Sequence, residues 1–220
     1  MPWISRVEPN PARSDQVLLT LSEFPPHIET DLPPDQAYAP GPTIVCHRDD
    51  ALGLTEGMEL SDARALALEH SLPRRECREK ALSLLARREH AERELQRKLM
   101  QRRFAPDVIT EVCAELKYSG LLDDQRFVSS WISAHRGRRP RGLRFLAAEF
   151  ADRGVSPEDF SQARDALLAE EPGFEEQECR AAIARVQRTG GSTEKTRRTL
   201  QRWGFTHATI LSVENSLPGE

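Results

Sequence analysis

Five apolar positions recur three times along this 220-residue chain at an almost constant interval. Leu99, Phe104, Ile109, Val112 and Leu116 form the first series, and Phe150, Val155, Phe160, Ala163 and Leu167 the second. Leu200, Phe205, Ile210, Val213 and Leu217 form the third. At every position the shift is 51 residues and then 50. A fixed period of this length marks a repeat architecture, in which each unit is too small to bury a full core and leans on its neighbours.

Each unit reads as three helices, in the first roughly residues 75–88, 91–102 and 106–119. Pro106, Pro157 and the turn at Phe205-Thr206 sit where third helices begin, where proline is well tolerated. Gly154 and Gly204 sit where second helices end, and glycine readily adopts the left-handed turn there. The same place in the first unit holds Arg103. The Pro-Gly pair in "EEPGFEE" marks a bend between the second and third units.

The front of the chain differs. Nine of the 15 prolines fall between Pro2 and Pro42. "WISRVE", "QVLLTLS" and "TIVCHR" read as short strands, separated by clusters such as Pro25-Pro26 and Pro33-Pro34. Ser61 is placed to cap a helix reaching about His70, with Ala63, Leu66 and Ala67 on one face. Residues 1–70 hold 4 Lys+Arg against 12 Asp+Glu, a charge of -8, whereas the rest hold 27 against 23, a charge of +4. The expected fold is therefore mainly α, three tandem three-helix repeats preceded by a small β ribbon. The divisions are residues 1–70 for the acidic ribbon and short helix, then 73–122, 123–170 and 174–217 for the repeats.

No apolar run approaches the ~18 residues of a membrane span. "MPWISRVEPN" lacks the charged-then-apolar order of a signal peptide, so a cytoplasmic location is expected. Cys46, Cys77, Cys113 and Cys179 form no CxxC pair and the histidines no HxxxH or HxxH pair, so reduced core cysteines and no metal are expected.

Three stretches invite a chemical reading. In "SGLLDDQRF", Ser119 to Phe127, Asp123 and Asp124 could be an acid pair or metal ligands. Helix capping accounts for every residue instead. Asp123 is the N-cap, Asp124 favours the positive end of the helix dipole, and Leu122 and Phe127 form a hydrophobic staple. Acid catalysis would need a second constellation to hold a substrate, and none is visible.

"REHAERELQRKLMQRRF" is a basic amphipathic helix with Leu95 and Leu99 inward and Arg93, Arg97, Lys98 and Arg102 outward. It reads as a solvated face or as a surface for an acidic partner. "HRGRRPRGLR" sets Arg136, Arg138, Arg139, Arg141 and Arg144 within nine residues without one acid. Gly137, Pro140 and Gly142 make it an exposed turn, and forked guanidinium groups suit phosphates and carboxylates. A partner surface is the better reading here. Trp131 and Phe145 fall in phase with core positions, so base stacking is not indicated. "STEKTRRTLQRWGF" repeats a milder basic pattern with Lys195, Arg197, Arg198 and Arg202.

"REHAERELQRKLMQRRF", "LKYSGLLDDQRFVSSWISAHR" and "RGLRFLAAEFADRGV", in this order and spacing, resemble the RecX family of recombinase regulators. "ISRVEP", "VLLTL" and "LGLTEGMEL" are similar to the β ribbon that precedes the helices in some members, so the resemblance covers nearly the whole chain. Arg103 and Arg139 stand where members commonly carry glycine. The resemblance implies an elongated, curved body and a non-enzymatic regulator. Such a protein binds the RecA filament, with the single-stranded DNA inside it, and inhibits recombinase activity. It implies no cofactor, and a monomer is expected. Two other classes stay open: a direct DNA-binding helical-repeat protein and a passive helical adaptor. Salt-steep DNA binding without a recombinase would mark the first, and indifference to both filament and DNA the second.

Overall fold

Alternation is the feature that builds the front of the chain. In the computed structural model, which describes residues 2–23, 41–188 and 193–216, three strands form an antiparallel sheet in the order β1-β2-β3. They are β1 (Trp3–Pro9), β2 (Gln16–Ser22) and β3 (Thr43–His47). Val17, Leu19 and Leu21 of β2 share one face with Ile4, Ile44 and Cys46, and these side chains are buried with Leu60 and Leu68. The outer edge of β1 is closed by the segment after β3, where Ile4 N–H donates to the Met58 carbonyl at 2.9 Å and Gly57 N–H to the Ile4 carbonyl at 2.8 Å. The expected proline pairs Pro25-Pro26 and Pro33-Pro34, the residue Ser192 and the final repeat position Leu217 lie outside the described residues.

Nine helices follow among the described residues: α1 (Asp62–Leu85), α2 (Glu92–Met100), α3 (Pro106–Tyr118), α4 (Asp124–His135), α5 (Leu143–Arg153), α6 (Pro157–Glu170), α7 (Phe174–Gln187), α8 (Thr193–Arg202) and α9 (His207–Ser216). The chain forms two compact units, one of Met1–Lys80 with Arg103–Val112 and one of Ala81–Arg102 with Cys113–Glu220.

Two local expectations are corrected. The helix expected to stop near His70 and the one expected from residue 75 are a single helix, α1, with Pro73 inside it. Proline removes one intrahelical bond, but apolar burial resumes beyond it at Cys77 and Ala81, both fully buried. Packing therefore outweighs the local preference. Ala63, Leu66 and Ala67 do share a face, yet that face is exposed, Leu66 at 56%. The residues turned to the sheet are Leu68 and the half-buried Ala65. Ser61 caps α1 as expected, accepting from Arg64 N–H at 3.2 Å.

The second unit carries the repeat pattern into packing. Phe150, at the second repeat's first shared position, meets Phe127 at 5.9 Å, Trp131 at 5.3 Å and Phe160 at 5.7 Å between ring centroids. Ala91 from the preceding repeat and Phe174 from the following one are buried in the same cluster. Neighbouring repeats thus complete one another's cores, the arrangement a three-helix unit of this size needs. The third repeat closes around Cys179, Ile183, Leu200, Phe205, Ile210 and Val213. All four cysteines are free and buried, and burial pushes the Cys179 thiol up to about 12.

Candidate functional site

The two aspartates of "SGLLDDQRF" separate in function. Asp123 caps its own helix, accepting from Gln125 N–H at 2.9 Å and Arg126 N–H at 3.0 Å. Asp124 reaches into the preceding repeat and accepts from Glu92 N–H at 2.8 Å. Glu92 is the first residue of α2, whose own N-cap, Ala91, has no side-chain oxygen to offer. One repeat later the same relation recurs: Glu175 accepts from Leu143 N–H at 3.4 Å, at the start of α5, where the N-cap is Gly142. Each acid satisfies a first-turn amide that its own helix leaves open. Burial raises the Asp124 carboxyl above the ordinary aspartate value, partly offset by the Glu92 N–H.

Arg126 completes the motif. Its guanidinium donates to the Gly120 carbonyl at 2.8 Å and the Leu121 carbonyl at 3.1 Å beyond α3, and pairs with Glu89 at 2.7 Å. Leu122 and Phe127 are each 2% exposed, as a staple requires. The stretch is a junction between repeats, with a purpose for each of its charged residues.

Glycines mark the other side of the same junctions. Gly154 ends α5 at φ 92, and a Cβ there would lie 2.5 Å from the Cβ of Arg93 on α2. Gly204 ends α8 at φ 87, and a Cβ there would lie 2.3 Å from the Phe145 nitrogen on α5. Both positions thus need glycine for backbone conformation and for close approach. Arg103, the third member of the set, has φ 65 but is exposed, so its side chain meets only the conformational penalty.

The five arginines of the α4–α5 turn and the first turn of α5 sort into two groups. Arg136 grips Glu171 with both terminal nitrogens, one of them at 2.7 Å, and donates to Gln177 at 2.9 Å. Its guanidinium also lies 5.6 Å from the centre of the Phe174 ring. Arg141 is held between Phe145 at 4.8 Å and Trp203 at 4.7 Å, and desolvation lowers its pKa. These two arginines tie the second repeat to the third. Beside them, Gly137 N–H donates to the buried Glu178 at 3.1 Å, and burial raises that carboxyl. Arg138, Arg139 and Arg144 are exposed and make no ion pair among the described residues. The loop is shaped by Arg185 of α7, which donates to the Arg138 carbonyl at 2.7 Å. Arg185 was not legible in the sequence as part of this surface, because it stands 47 residues from its partner.

The basic second helices are more neutralised than their composition suggests. On α2, Lys98 pairs with Glu94 at 3.2 Å and Arg102 donates to the Lys98 carbonyl at 2.6 Å. Arg93 lays its stem over Gly154, while Arg97 is exposed without an ion pair among the described residues. Glu94 is also bonded by Arg88 and lies 3.3 Å from the buried His90. Against the desolvation that would raise it, these hydrogen bonds hold the Glu94 carboxyl at about 2. On α8, Arg197 forks onto Glu214 at 2.7 Å and Arg198 pairs with Glu194 at 3.0 Å. Lys195 has a partner as well, and Arg202 is exposed. Among the described residues no His, Cys, Asp and Glu group is arranged to hold a metal, and no helix is long and apolar enough to cross a membrane.

Comparison with known proteins agrees with the sequence resemblance. The family model for the first three-helix domain of RecX matches residues 77–116. A regulatory protein RecX of Treponema pallidum (strain Nichols) is 34% identical over 137 residues, which span 61% of this chain and 82% of that protein. One from Chromohalobacter salexigens is 35% identical over 113 residues, 51% of this chain and 72% of that protein. Among solved structures, a crystal structure of regulatory protein RecX superposes with a TM-score of 0.68 at 15% identity, covering 98% of this chain and 100% of the other. RecX from Lactobacillus salivarius gives 0.55 at 17% identity, covering 66% of this chain and 96% of the other. These two structures share the helical-repeat fold. The identity and coverage of the sequence relatives place the chain itself: it belongs to the RecX family of regulatory proteins.

Proposed function

We propose that this protein is a non-enzymatic regulator that binds the RecA nucleoprotein filament and inhibits its recombinase and ATPase activities, acting in the cytoplasm as a monomer. Residues 73–122, 123–170 and 174–217 serve as its three repeats and residues 1–70 as an acidic N-terminal part. The observation that carries the reading is the α4–α5 turn of this RecX-family chain with the start of α5, where Arg138, Arg139 and Arg144 stand exposed without an ion pair among the described residues. Like charges held together without a structural partner repel one another, and an anionic partner relieves that repulsion. Tandem repeats suit a polymer, because successive repeats can engage successive subunits.

The test is a titration of purified protein into RecA ATPase on single-stranded DNA. A dose-dependent fall in ATPase supports the reading, and an unchanged rate with filament present refutes it. The triple variant Arg138→Glu/Arg139→Glu/Arg141→Glu should inhibit only at much higher concentration. Its circular dichroism is recorded alongside, because Arg141 also holds the junction.

A further inference from the structure

The two edges of the N-terminal sheet differ. The outer edge of β1 is occupied: Trp3 bridges Glu59, and Ile4 bonds the backbone of Gly57 and Met58. Further along, Val7 N–H donates to a Glu56 carboxylate oxygen at 3.2 Å. A register shift between Ile4 and Arg6 breaks the regularity of this strand as well. Covering and bulging an edge are the usual means by which a sheet keeps other chains from adding to it. β3 has neither. Its sequence, TIVCH, holds no proline or lysine, and its pairing with β2 is regular throughout.

Register fixes which backbone groups of β3 are spare. Leu21 N–H donates to the Pro42 carbonyl at 3.0 Å, and Arg48 N–H to the Asp15 carbonyl at 2.9 Å. The residues between them that face β2 are therefore Ile44 and Cys46. Thr43 and Val45 turn both N–H and C=O outward, and His47 its N–H. The His47 carbonyl is taken by the amides of Asp50 and Ala51. Among the described residues nothing pairs with the outward groups, and β3 ends the strand order. Thr43 is exposed and Val45 half-buried, so the edge is within reach of solvent.

Such a ladder is matched by another peptide backbone, whose amides and carbonyls alternate at the same spacing. Charge selects among peptides. Residues 1–70 carry a charge of -8. Glu23, Glu29, Asp31 and Asp35 fall between β2 and β3 in the sequence, and that stretch has no Lys or Arg. A second copy would bring the same charge to the same edge and be repelled, whereas a basic segment is attracted.

We propose that the outer edge of β3 is a docking site for an extended, basic segment of a partner protein, which adds to the sheet by pairing with Thr43, Val45 and His47. The acidic front then has a purpose of its own, separate from the arginine turn, which belongs to the other compact unit.

The probe is a fluorescently labelled nonapeptide of alternating lysine and valine, titrated into the full chain and followed by anisotropy. It should bind saturably, and a glutamate–valine counterpart should not. The same lysine peptide N-methylated at every residue keeps its charge but donates no ladder bond, and should bind roughly tenfold more weakly or worse. Amide hydrogen exchange gives the local readout. In the free protein Val45 should exchange fast while Ile44 and Cys46 are protected, and saturating peptide should protect Val45. Val45→Pro removes an outward N–H and leaves the bonds to β2 in place, so it should abolish binding with unchanged circular dichroism. If that variant misfolds, the N-methylated peptide and the exchange data on the unaltered protein still decide. Absent binding, equal binding by the methylated or the acidic peptide, or no protection of Val45 at saturation overturns the proposal. Protection of Val45 equal to that of Ile44 in the free protein also overturns it, because the chain itself would then hold the edge. So does a concentration-dependent dimer that Val45→Pro disperses, which would make the occupant a second copy.

Discussion

Asp124→Ala isolates one of the bonds between the first two repeats. The wild-type carboxylate accepts from Glu92 N–H at 2.8 Å, and the capping residue Ala91 offers no substitute acceptor. An N-cap is worth about 0.5–2 kcal/mol, and a bond to a charged acceptor about 1.5–3 kcal/mol. Burial disfavours the Asp124 charge and so reduces that upper range. The expected loss is therefore roughly 1.5 kcal/mol in urea unfolding followed by circular dichroism. Asp124→Asn keeps the accepting oxygen and drops the disfavoured charge, so it should match or exceed wild type at neutral pH. The sign follows from linkage: a carboxyl raised in the folded state contributes stability below its unfolded value that is lost as pH rises through the folded one. Hydrogen exchange supplies the local readout. Asp124→Ala should deprotect the amide of Glu92, whereas Asp123→Ala should deprotect those of Gln125 and Arg126. Unchanged protection at Glu92 in Asp124→Ala, or an Asn variant no better than Ala, would refute the cap across the junction.

Arg103→Gly should raise stability by roughly 1 kcal/mol by relieving the left-handed strain, whereas Gly154→Ala should lower it by about 2 kcal/mol or more, since strain is joined by collision with Arg93; thermal melts compare them. Glu94, held at about 2 against an ordinary 4.5, contributes stability that is present above pH 4.5 and lost as pH falls through 2. Glu94→Gln should therefore flatten the acid limb of the stability profile, by a few kcal/mol at most, measured by urea unfolding between those limits. Arg141→Ala should destabilise by about 1–2 kcal/mol through loss of its two ring contacts, and Arg139→Ala by no more than about 0.5 kcal/mol, separating the clamping arginine from the free one in the same assay.

What was legible in the sequence is what lies within one helical turn or recurs at a fixed interval. Asp123 caps amides two and three residues ahead of it, and Gly154, Gly204 and Arg103 take left-handed turns at places set by helix ends. The repeat named Phe150 and Leu200 as core because identical folds need apolar side chains at equivalent positions, and both are fully buried. Proline chemistry misled at Pro73, where burial on either side keeps α1 continuous. The site depended on longer separations. Asp124 is 32 residues from Glu92, and Arg185 is 47 from the carbonyl it holds. The sequence by itself determined that five arginines stand together without an acid. Only the tertiary structure decided that Arg136 and Arg141 are clamps and that Arg138 and Arg139 stay free beside Arg185. Capping chemistry is local to the backbone, but a guanidinium on a long side chain takes whichever ring, carboxylate or carbonyl the packing of two repeats brings within its reach.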